Sequence, residues 1–531
     1  MSTQMMKKVM PMNRLLSLTT MMAASLLSVA PARAAAPGIT GGTAVTFNLT
    51  AQPASLNQPD GNQVYAWGYG CNGAPSGFAP AMPNQTCSTM QVPGPTLIVT
   101  EGQKVTVNLL NGLPAAAGNT SILFPDFAMT TACPAANQGL LTCEALPAGS
   151  VTYTFVATTP GTHAYYSGTQ SDLQIEMGLY GAIIVLPSTP QAACTSGVHA
   201  SNVTAQGSNS LAHPGVPETD FRLATSAYDH AGSCYDREYL FQFAEMDLNI
   251  HRNALAQVIA NVTKLEVPTE PYHPNYFVVN GRSMPDDMDP NFDSVYPHQP
   301  YNGNPHMHPG EDVLIRVIGQ GRWQHPFHEH GNHVRILGRD GNLIQSATDP
   351  NSLAGPLLFT TTTTPGQAFD GIFYWTGRGL NWDAYAHNPS STDPNAKLTC
   401  TPDANGYNTG APLAINYFEW CADHNKPLQA APFGDVPGGG PATLPDANIF
   451  TNGAWYSGSP YLGPNATNRA TGPNSSFQPS NTQGNPGNER GYAFMWHSHN
   501  EREITTNNVF PGGMFMMMLV DSREFVIDES N

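Results

Sequence analysis

Short runs of alternating apolar and polar residues recur along the chain, separated by glycine, proline and asparagine. In the first third they cover residues 44–49, 96–99, 105–109, 151–155 and 182–185. Similar runs follow at residues 239–244, 276–281 and 312–318. Short alternating runs rich in β-branched and aromatic side chains are typical of half-buried strands. Strands of this length and spacing predict an all-β chain built from sandwiches.

The order of these runs predicts two β domains and leaves no room for a third between them. The first covers residues 38–190, a connection covers 191–234, and the second covers 235–525. An insertion of about 375–490, crowded with proline, glycine, asparagine and serine, enlarges the second domain. Since structureless loops of that length are uncommon inside compact domains, we expect the insertion to carry strands of its own. The methionine-rich run 514–520 is predicted to be a packed core strand.

The first 34 residues have the pattern of a secretory signal. Lys7, Lys8 and Arg14 precede an apolar run at 15–30, and an Ala-Arg-Ala sequence ends at Ala34. The apolar run is too short to span a bilayer comfortably, which favours a cleaved signal over a membrane anchor, the alternative interpretation. No twin-arginine pair is present, so the pattern predicts Sec-type export and a periplasmic or secreted protein.

Composition and charge narrow the choice of partners. Charged residues make up only 11% of the chain, against 50 glycines and 47 prolines, and the formal charge is −18. Loss of the four basic residues within 1–34 brings the charge to −22. So acidic a chain is predicted to bind neither nucleic acid nor an anionic membrane, and is compatible with attracting metal cations.

The eight cysteines predict four disulfides, because their number is even and the chain is predicted to be exported. Pairing of neighbours in sequence is the simplest connectivity, but the sequence alone leaves the pairing open. None of the cysteines lies beside a histidine motif, so none is an obvious metal thiolate. The expected neighbour pairs are Cys71 with Cys87, Cys133 with Cys143, Cys194 with Cys234, and Cys400 with Cys421.

Two His-x-His units, far apart in the chain, are the strongest chemical feature. The first is His328 with His330, and the second is His497 with His499. In an extended strand alternate residues share a face, so each unit presents two imidazoles on one side. Two such strands placed side by side would direct four imidazoles at one point. Imidazole nitrogens suit copper or zinc far better than calcium or magnesium, so the pattern predicts a transition-metal site.

The residues around these histidines resemble motifs of the multicopper oxidases. Residues 325–331 read His-Pro-Phe-His-Glu-His-Gly, similar to the third copper motif, and 496–499 with 511–514 are similar to the fourth. Residues 93–105 and 161–181 are similar to first-domain segments. The resemblance implies cupredoxin-like Greek-key sandwiches, copper as cofactor, and oxidation of a small-molecule substrate or reaction with oxygen. Because two-domain members build sites between subunits, it also allows a homotrimer.

The resemblance is incomplete at the position of the type 1 copper. His325 and Met514 match two ligands of that copper, so both are candidate metal ligands. The ligand cysteine is replaced by Ser498, and the other histidine by Glu503. A hydroxyl cannot form the copper–thiolate bond that gives this site its colour and electron path. We therefore expect no blue copper.

The first-domain copper motifs have also lost their histidines. The first motif corresponds to residues 121–128, where Asp126 alone could bind a cation, and the second to Tyr166, Ser167 and Gly168. An Asp-Phe dipeptide at 126–127 resembles one in copper nitrite reductases, which suggests that Asp126 is a proton donor. Asp126 and Tyr166 are therefore the candidate catalytic residues. The nearby His163 is predicted to be structural.

A third His-x-His unit, His306 with His308, is predicted to be an exposed loop pair rather than a second ion site. The favoured function is an exported copper oxidoreductase that uses a histidine-bound copper without a type 1 cysteine. The alternative is a non-catalytic copper-binding or copper-tolerance protein of the periplasm.

Overall fold

The computed structural model describes residues 36–81, 85–208, 218, 220, 222–380, 401–410, 414, 416–422, 458–461, 491–523 and 527. The predicted signal segment and most of the predicted insertion lie outside these residues.

The first unit contains nine strands in two sheets. One sheet has the order β4-β1-β5-β9-β8 and the other the order β3-β2-β6-β7. All five runs predicted as strands in this region overlap one of them. The strands are β1 (Gly38–Thr40), β2 (Thr46–Asn57), β3 (Gln63–Cys71), β4 (Gly77–Ala79), β5 (Leu97–Thr100), β6 (Lys104–Asn111), β7 (Ser150–Val156), β8 (Gly161–Tyr166) and β9 (Tyr180–Leu186).

The second unit also contains two sheets. One has the order β11-β10-β13-β19-β15-β16, with β17 on β15; the other has the order β12-β22-β21-β14-β18, with β20 on β21. The prediction of an all-β chain built from sandwiches is confirmed. The strands are β10 (Arg237–Met246), β11 (Tyr276–Val279), β12 (His306–Met307), β13 (Asp312–Gly319), β14 (His325–Glu329), β15 (Val334–Arg339), β16 (Asn342–Leu343), β17 (Leu357–Leu358), β18 (Thr360–Thr363), β19 (Ala368–Tyr374), β20 (Gly458–Tyr461), β21 (Gly491–Ser498) and β22 (Phe515–Asp521).

Strand alternation explains how the two units pack together. In β9, Ile183 lies in the core of the first unit, whereas its neighbours Ala182 and Ile184 face the opposite side. There they pack against Leu240 and Ile318 of the second unit. A sheet buried on both faces reads as a continuous apolar run, as the sequence of β9 does. The two units therefore share an apolar interface.

Hydrogen bonds to one buried carboxylate also cross this interface. Asp370 of β19 accepts from the amide and the hydroxyl of Thr162 in β8, at 3.0 and 2.6 Å. It also accepts from the hydroxyl of Tyr228 at 2.7 Å, and Arg316 lies 3.5 Å away. All of its polar neighbours are donors, as an ionised carboxylate requires.

Three α-helices occur in the described part: α1 (Ser171–Gln174), α2 (Gly197–Ser208) and α3 (Leu248–Ile259). Helix α2 lies in the predicted connection, and the strand pattern gave no sign of it. Asp247 caps α3 by accepting a hydrogen bond from the amide of Asn249, and the helix buries one face. Within this part of the chain, no helix combines the length and apolar character that a membrane span requires.

The predicted neighbour pairing of cysteines is confirmed for three disulfides, which are Cys71–Cys87, Cys133–Cys143 and Cys194–Cys234. Cys421 is also disulfide bonded, while its predicted partner Cys400 lies outside the described residues. The methionine-rich run forms β22, a packed core strand as predicted. Its alternate residues Met516 and Met518 are fully buried.

Candidate metal centre

The two His-x-His units lie on adjacent strands, as the sequence predicted. Strands β14 and β21 run antiparallel, with His328 directly opposite His497. Side chains alternate along each strand, so all four histidines of the two units share one face. On the opposite face Phe327 and Trp496 pack in the core of the second unit. That core fixes both strands and therefore the positions of the imidazoles.

Three of the four imidazoles form a compact group. Histidines 328, 330 and 497 each offer a ligand nitrogen, and these nitrogens lie within 4.8 Å of one another. The Nε2 atoms of His330 and His497 are 3.2 Å apart. The exposed fourth residue, His499, has its ring centroid 4.7 Å from that of His328. We call these four residues the histidine cluster.

The surroundings of the histidine cluster favour uncharged imidazoles. Burial, and then the neighbouring His497 and His499, lower the pKa of His328 to about 4. The pKa of His497 is lowered too, mainly by burial. A neutral imidazole keeps a nitrogen lone pair for a metal ion at neutral pH. Protons therefore compete weakly with a metal here.

Neighbouring groups hold the imidazole of His328 and the backbone of His330 in place. The Nδ1 atom of His328 lies 2.6 Å from the hydroxyl oxygen of Thr360, and the indole of Trp496 donates to the backbone carbonyl of His330 at 3.1 Å. A partner on the ring nitrogen, such as Thr360, fixes the orientation of a metal-binding histidine. The ring of Phe359, 42% exposed, stands 5.6 Å from the ring of His328. Three converging imidazoles fit copper or zinc and do not fit calcium or magnesium.

His325 lies on the opposite face of β14, away from the histidine cluster. Its Nδ1 lies 2.9 Å from a carboxylate oxygen of Glu503, and its Nε2 lies 3.0 Å from one of Glu245. Burial lowers the pKa of His325, but hydrogen bonds to the two carboxylates outweigh it and raise the pKa to about 9. His325 is therefore a buried imidazolium between two carboxylates.

The structure assembles the residues that correspond to the type 1 copper position. The hydroxyl of Ser498 donates to the Glu503 oxygen that faces His325. The amide of Met514 donates to the carbonyl of Glu503 at 2.8 Å, and the Met514 side chain is fully buried. A hydrogen-bond network, which we call the Ser498–Glu503–His325–Glu245 network, thus connects the residues at this position.

Asp126 and Tyr166 lie in the first unit. Asp126 contacts Nδ1 of His163 at 2.8 Å, and the other ring nitrogen of His163 lies 3.0 Å from the carbonyl of Thr159. Burial, followed by Asp126 and Asp340, raises the pKa of Tyr166. Within the described part of the chain, neither Asp126 nor Tyr166 contacts the histidine cluster.

The remaining first-unit motif positions also come together, without histidines. Leu123 pairs with Tyr166 through a β-bridge, and the amide of Gly168 donates to the hydroxyl of Ser121 at 3.1 Å. The first unit thus keeps the strand pairing of these positions and offers no imidazole there.

The expectation for the third His-x-His unit is wrong. His306 and His308 are fully buried rather than exposed in a loop. The Nδ1 of His306 lies 2.6 Å from a carboxylate oxygen of Asp521, and the Nε2 of His308 lies 2.7 Å from one of Glu218. The carboxylates that pair with the two imidazoles are buried and lie far away in sequence. This pairing offsets the free-energy cost of burying the imidazoles.

Three neighbours of the site residues were missed by the sequence analysis. Glu245 could have been noticed as a charged residue inside an apolar strand, β10, because buried charges need partners. Thr360 belongs to a run of threonines that carries no signal for contact with His328. Phe359 likewise gave no signal.

Residues 82–190 match the family model described as multicopper oxidase. Over this segment the chain is similar to the multicopper oxidases. The resemblance inferred from the motifs is thereby confirmed, including for the segment 161–181. Copper as the cofactor is confirmed at the level of this family, and the histidine cluster fits that metal. No curated protein sequence matches the chain.

Several solved structures are similar to the chain. A multicopper oxidase, mgLAC, shares 14% identity over 90% of this chain and 86% of its own, with a TM-score of 0.45. A blue copper oxidase from Nitrosomonas europaea shares 14% identity over 90% and 85%, with a TM-score of 0.44. A copper nitrite reductase from the same organism shares 20% identity over 62% and 84%, with a TM-score of 0.38.

Proposed function

We propose that the chain is an exported copper oxidoreductase that acts on a small-molecule substrate at the histidine cluster. One observation carries the proposal: three imidazoles offer nitrogens within 4.8 Å of one another, in a chain that contains a segment similar to the multicopper oxidases. His328, His330 and His497 hold the metal. His499, at the exposed edge, is the fourth ligand or faces the incoming substrate.

The residues of the chain prepare this site before any metal arrives. Burial keeps His328 neutral, and a contact between its Nδ1 and the hydroxyl of Thr360 holds its ring. The apolar ring of Phe359 packs edge-on against the ring of His328. Copper, when bound, supplies one-electron redox change and an open coordination position.

Electrons are expected to enter at the histidine cluster itself. In the Ser498–Glu503–His325–Glu245 network a hydroxyl stands where a thiolate would carry electrons from a distant substrate. The reductant therefore has to reach the exposed side near His499. This favours small reductants and acceptors such as oxygen or a small oxyanion over bulky phenols.

The test combines metal analysis with spectra of the purified mature chain. We expect about one copper ion per chain, a type 2 paramagnetic signal and no intense band in the red. We expect His497→Ala to weaken copper binding more than about 100-fold, since even outer partners of a ligand contribute 10–100-fold. His333→Ala, close in sequence but outside the cluster, is the matched control. Equal copper affinity in both variants would refute the site.

A non-catalytic copper-binding or tolerance protein is the second candidate. The missing thiolate favours it, because an enzyme of this family usually needs an electron entry. The copper-loaded chain is mixed with a reductant and either oxygen or nitrite, and their consumption is followed. Turnover that His497→Ala abolishes supports the enzyme, whereas rapid copper exchange without turnover supports the carrier.

Export and assembly are further parts of the proposal. The basic start, apolar run and Ala-Arg-Ala sequence support cleavage after Ala34 and a periplasmic or secreted location. N-terminal sequencing of the exported protein tests this directly. A homotrimer, in which a neighbour covers the exposed edge of the histidine cluster, is tested by sedimentation equilibrium of the mature chain.

A further inference from the structure

A second group of side chains that could hold a metal ion lies at the connection between the units. It consists of His199 on α2, Asp236 just before β10, and Asp312 at the start of β13. Each offers a ligand atom within 4.8 Å of the others. None of the three takes part in the histidine cluster or in the network around His325.

The first step of the argument is the tautomer of His199. Its Nδ1 lies 2.9 Å from Oδ1 of Asp236, whose side chain is fully buried. The other oxygen of Asp236 accepts from the side-chain amide of Asn202 at 2.8 Å and from the amide of Asp312 at 2.9 Å. Both of these partners are donors, and a carboxylate offers only acceptor oxygens, so Nδ1 of His199 carries a hydrogen.

The second step concerns the distance between the other ring nitrogen of His199 and the carboxylate of Asp312. The Nε2 of His199 lies 3.9 Å from Oδ2 of Asp312, too far for a hydrogen bond. A tetrahedral ion with bonds of about 2.0–2.2 Å to nitrogen and to oxygen holds two ligand atoms about 3.4 Å apart. The observed distance of 3.9 Å exceeds this value by about 0.5 Å, which a small rotation of the partly exposed Asp312 carboxylate closes. His199 and Asp312 are 11% and 29% exposed, so an ion can enter from solvent.

We propose that His199 Nε2 and the Asp312 carboxylate form a second site for a divalent transition-metal ion such as Zn²⁺ or Cu²⁺. Asp236 orients the imidazole through Nδ1, the arrangement that commonly supports a metal-bound histidine. Water fills the remaining coordination positions. One imidazole and one carboxylate suit zinc or copper.

The electrostatics of Asp312 agree with this geometry. Partial burial, and then the adjacent Asp236 carboxylate, raise the pKa of Asp312 to about 7. Two carboxylates this close repel each other, and a cation beside Asp312 relieves the repulsion.

The position of the site would let a bound ion connect two separate elements of the fold. His199 belongs to the segment that connects the two units, whereas Asp312 begins a central strand of the second unit. An ion bound by both attaches α2 to that strand. Since a ligand that binds only the folded state stabilises it, the bound ion should raise the unfolding temperature.

The test measures Zn²⁺ bound per chain, by equilibrium dialysis and metal analysis, and the unfolding temperature with and without Zn²⁺. The full mature chain is compared with Asp312→Asn and His199→Gln, and with Glu266→Gln, an exposed carboxylate elsewhere on the second unit, as control. We expect both site variants to bind one ion fewer than wild type and to lose part of the zinc-dependent rise in unfolding temperature. Glu266→Gln should behave as wild type.

The copper signal of the histidine cluster provides an independent check. It should be unchanged in Asp312→Asn and lost in His497→Ala, whereas zinc binding at the second site should survive in His497→Ala. If Asp312→Asn is folded and binds as many ions as wild type, the second site does not exist. If His199→Gln fails to fold, Asp312→Asn, which preserves side-chain shape, decides alone.

Discussion

Two histidines of one strand, His325 and His328, show how side-chain direction decides the chemistry of an imidazole. They are three residues apart, so they point to opposite faces of β14. One face meets buried carboxylates, and the pKa of His325 rises to about 9. The other face meets imidazoles, and the pKa of His328 falls to about 4. The first is therefore a charged partner of two carboxylates, whereas the second stays neutral and keeps a lone pair that a metal ion could bind.

The pKa of His325 predicts how stability depends on pH. The folded value of about 9 exceeds the unfolded value of about 6.5, so the folded state binds the proton more tightly. The stabilisation is complete below pH 6.5 and is lost as the pH rises through 9. We expect a loss on the order of 3 kcal/mol across this window. Urea unfolding at several pH values measures it.

The variant His325→Gln isolates this contribution from other titrating groups. It cannot be protonated, so its free energy of unfolding should fall less steeply than that of wild type between pH 6.5 and 9. Equal slopes for both proteins would show that the proton on His325 contributes nothing to stability.

Two substitutions test whether the Ser498–Glu503–His325–Glu245 network is what excludes a blue copper. Ser498→Cys alone should stay colourless with Cu²⁺, because Glu503 still holds Nδ1 of His325. Ser498→Cys combined with Glu503→His supplies a thiolate and a second imidazole near the buried Met514. We expect this double variant to gain intense absorption in the red. Visible spectra of the two copper-loaded variants give the answer, and a blue single variant would contradict the role of Glu503.

The hydrogen bonds that Asp370 of β19 accepts from Thr162 of β8 and from Tyr228 connect the two units, and we call them the polar joint. Asp370→Ala removes three hydrogen bonds and leaves Arg316 with fewer buried partners. Breaking a buried ionic pair typically costs about 3–5 kcal/mol, which is the loss of unfolding free energy we expect. Glu266→Ala, on the surface, is the control and should change stability little. Denaturant unfolding compares them, and similar midpoints would show that the joint is unimportant.

The sequence predicts strands well because alternation is local, whereas partners of buried charges are not local. The predicted runs at 105–109 and 151–155 overlap β6 and β7. Within each run the alternation of apolar and polar residues is enough to show which face of the strand is buried. Nothing near His325 reveals Glu245, 80 residues earlier in the chain. The same holds for His306 and Asp521, which explains why a buried pair was expected to be exposed. Helix α3 was missed because its apolar face is narrow.

The two units match the motif pattern of the multicopper oxidases to different degrees. The second unit keeps both His-x-His units and brings them together on β14 and β21. The first unit keeps the pairing of Leu123 with Tyr166 and of Ser121 with Gly168, but these positions carry no imidazole. The strand framework was predictable from the motifs. The number of metal ions that the chain binds depends instead on the side chains at these positions, and those of the first unit provide no imidazole ligand.

The missing first-unit imidazoles and the missing thiolate predict how the copper-loaded chain reacts with oxygen. Four-electron reduction needs a store of electrons and an entry for them, and this chain provides neither the first-unit imidazoles nor the thiolate. With 2,6-dimethoxyphenol as substrate, oxygen uptake should not exceed that of His497→Ala at equal copper concentration. A small reductant should still reduce the copper bound at the histidine cluster, which paramagnetic resonance detects as loss of the type 2 signal. Rapid phenol oxidation with water as the product would show that electrons enter by a route other than the histidine cluster.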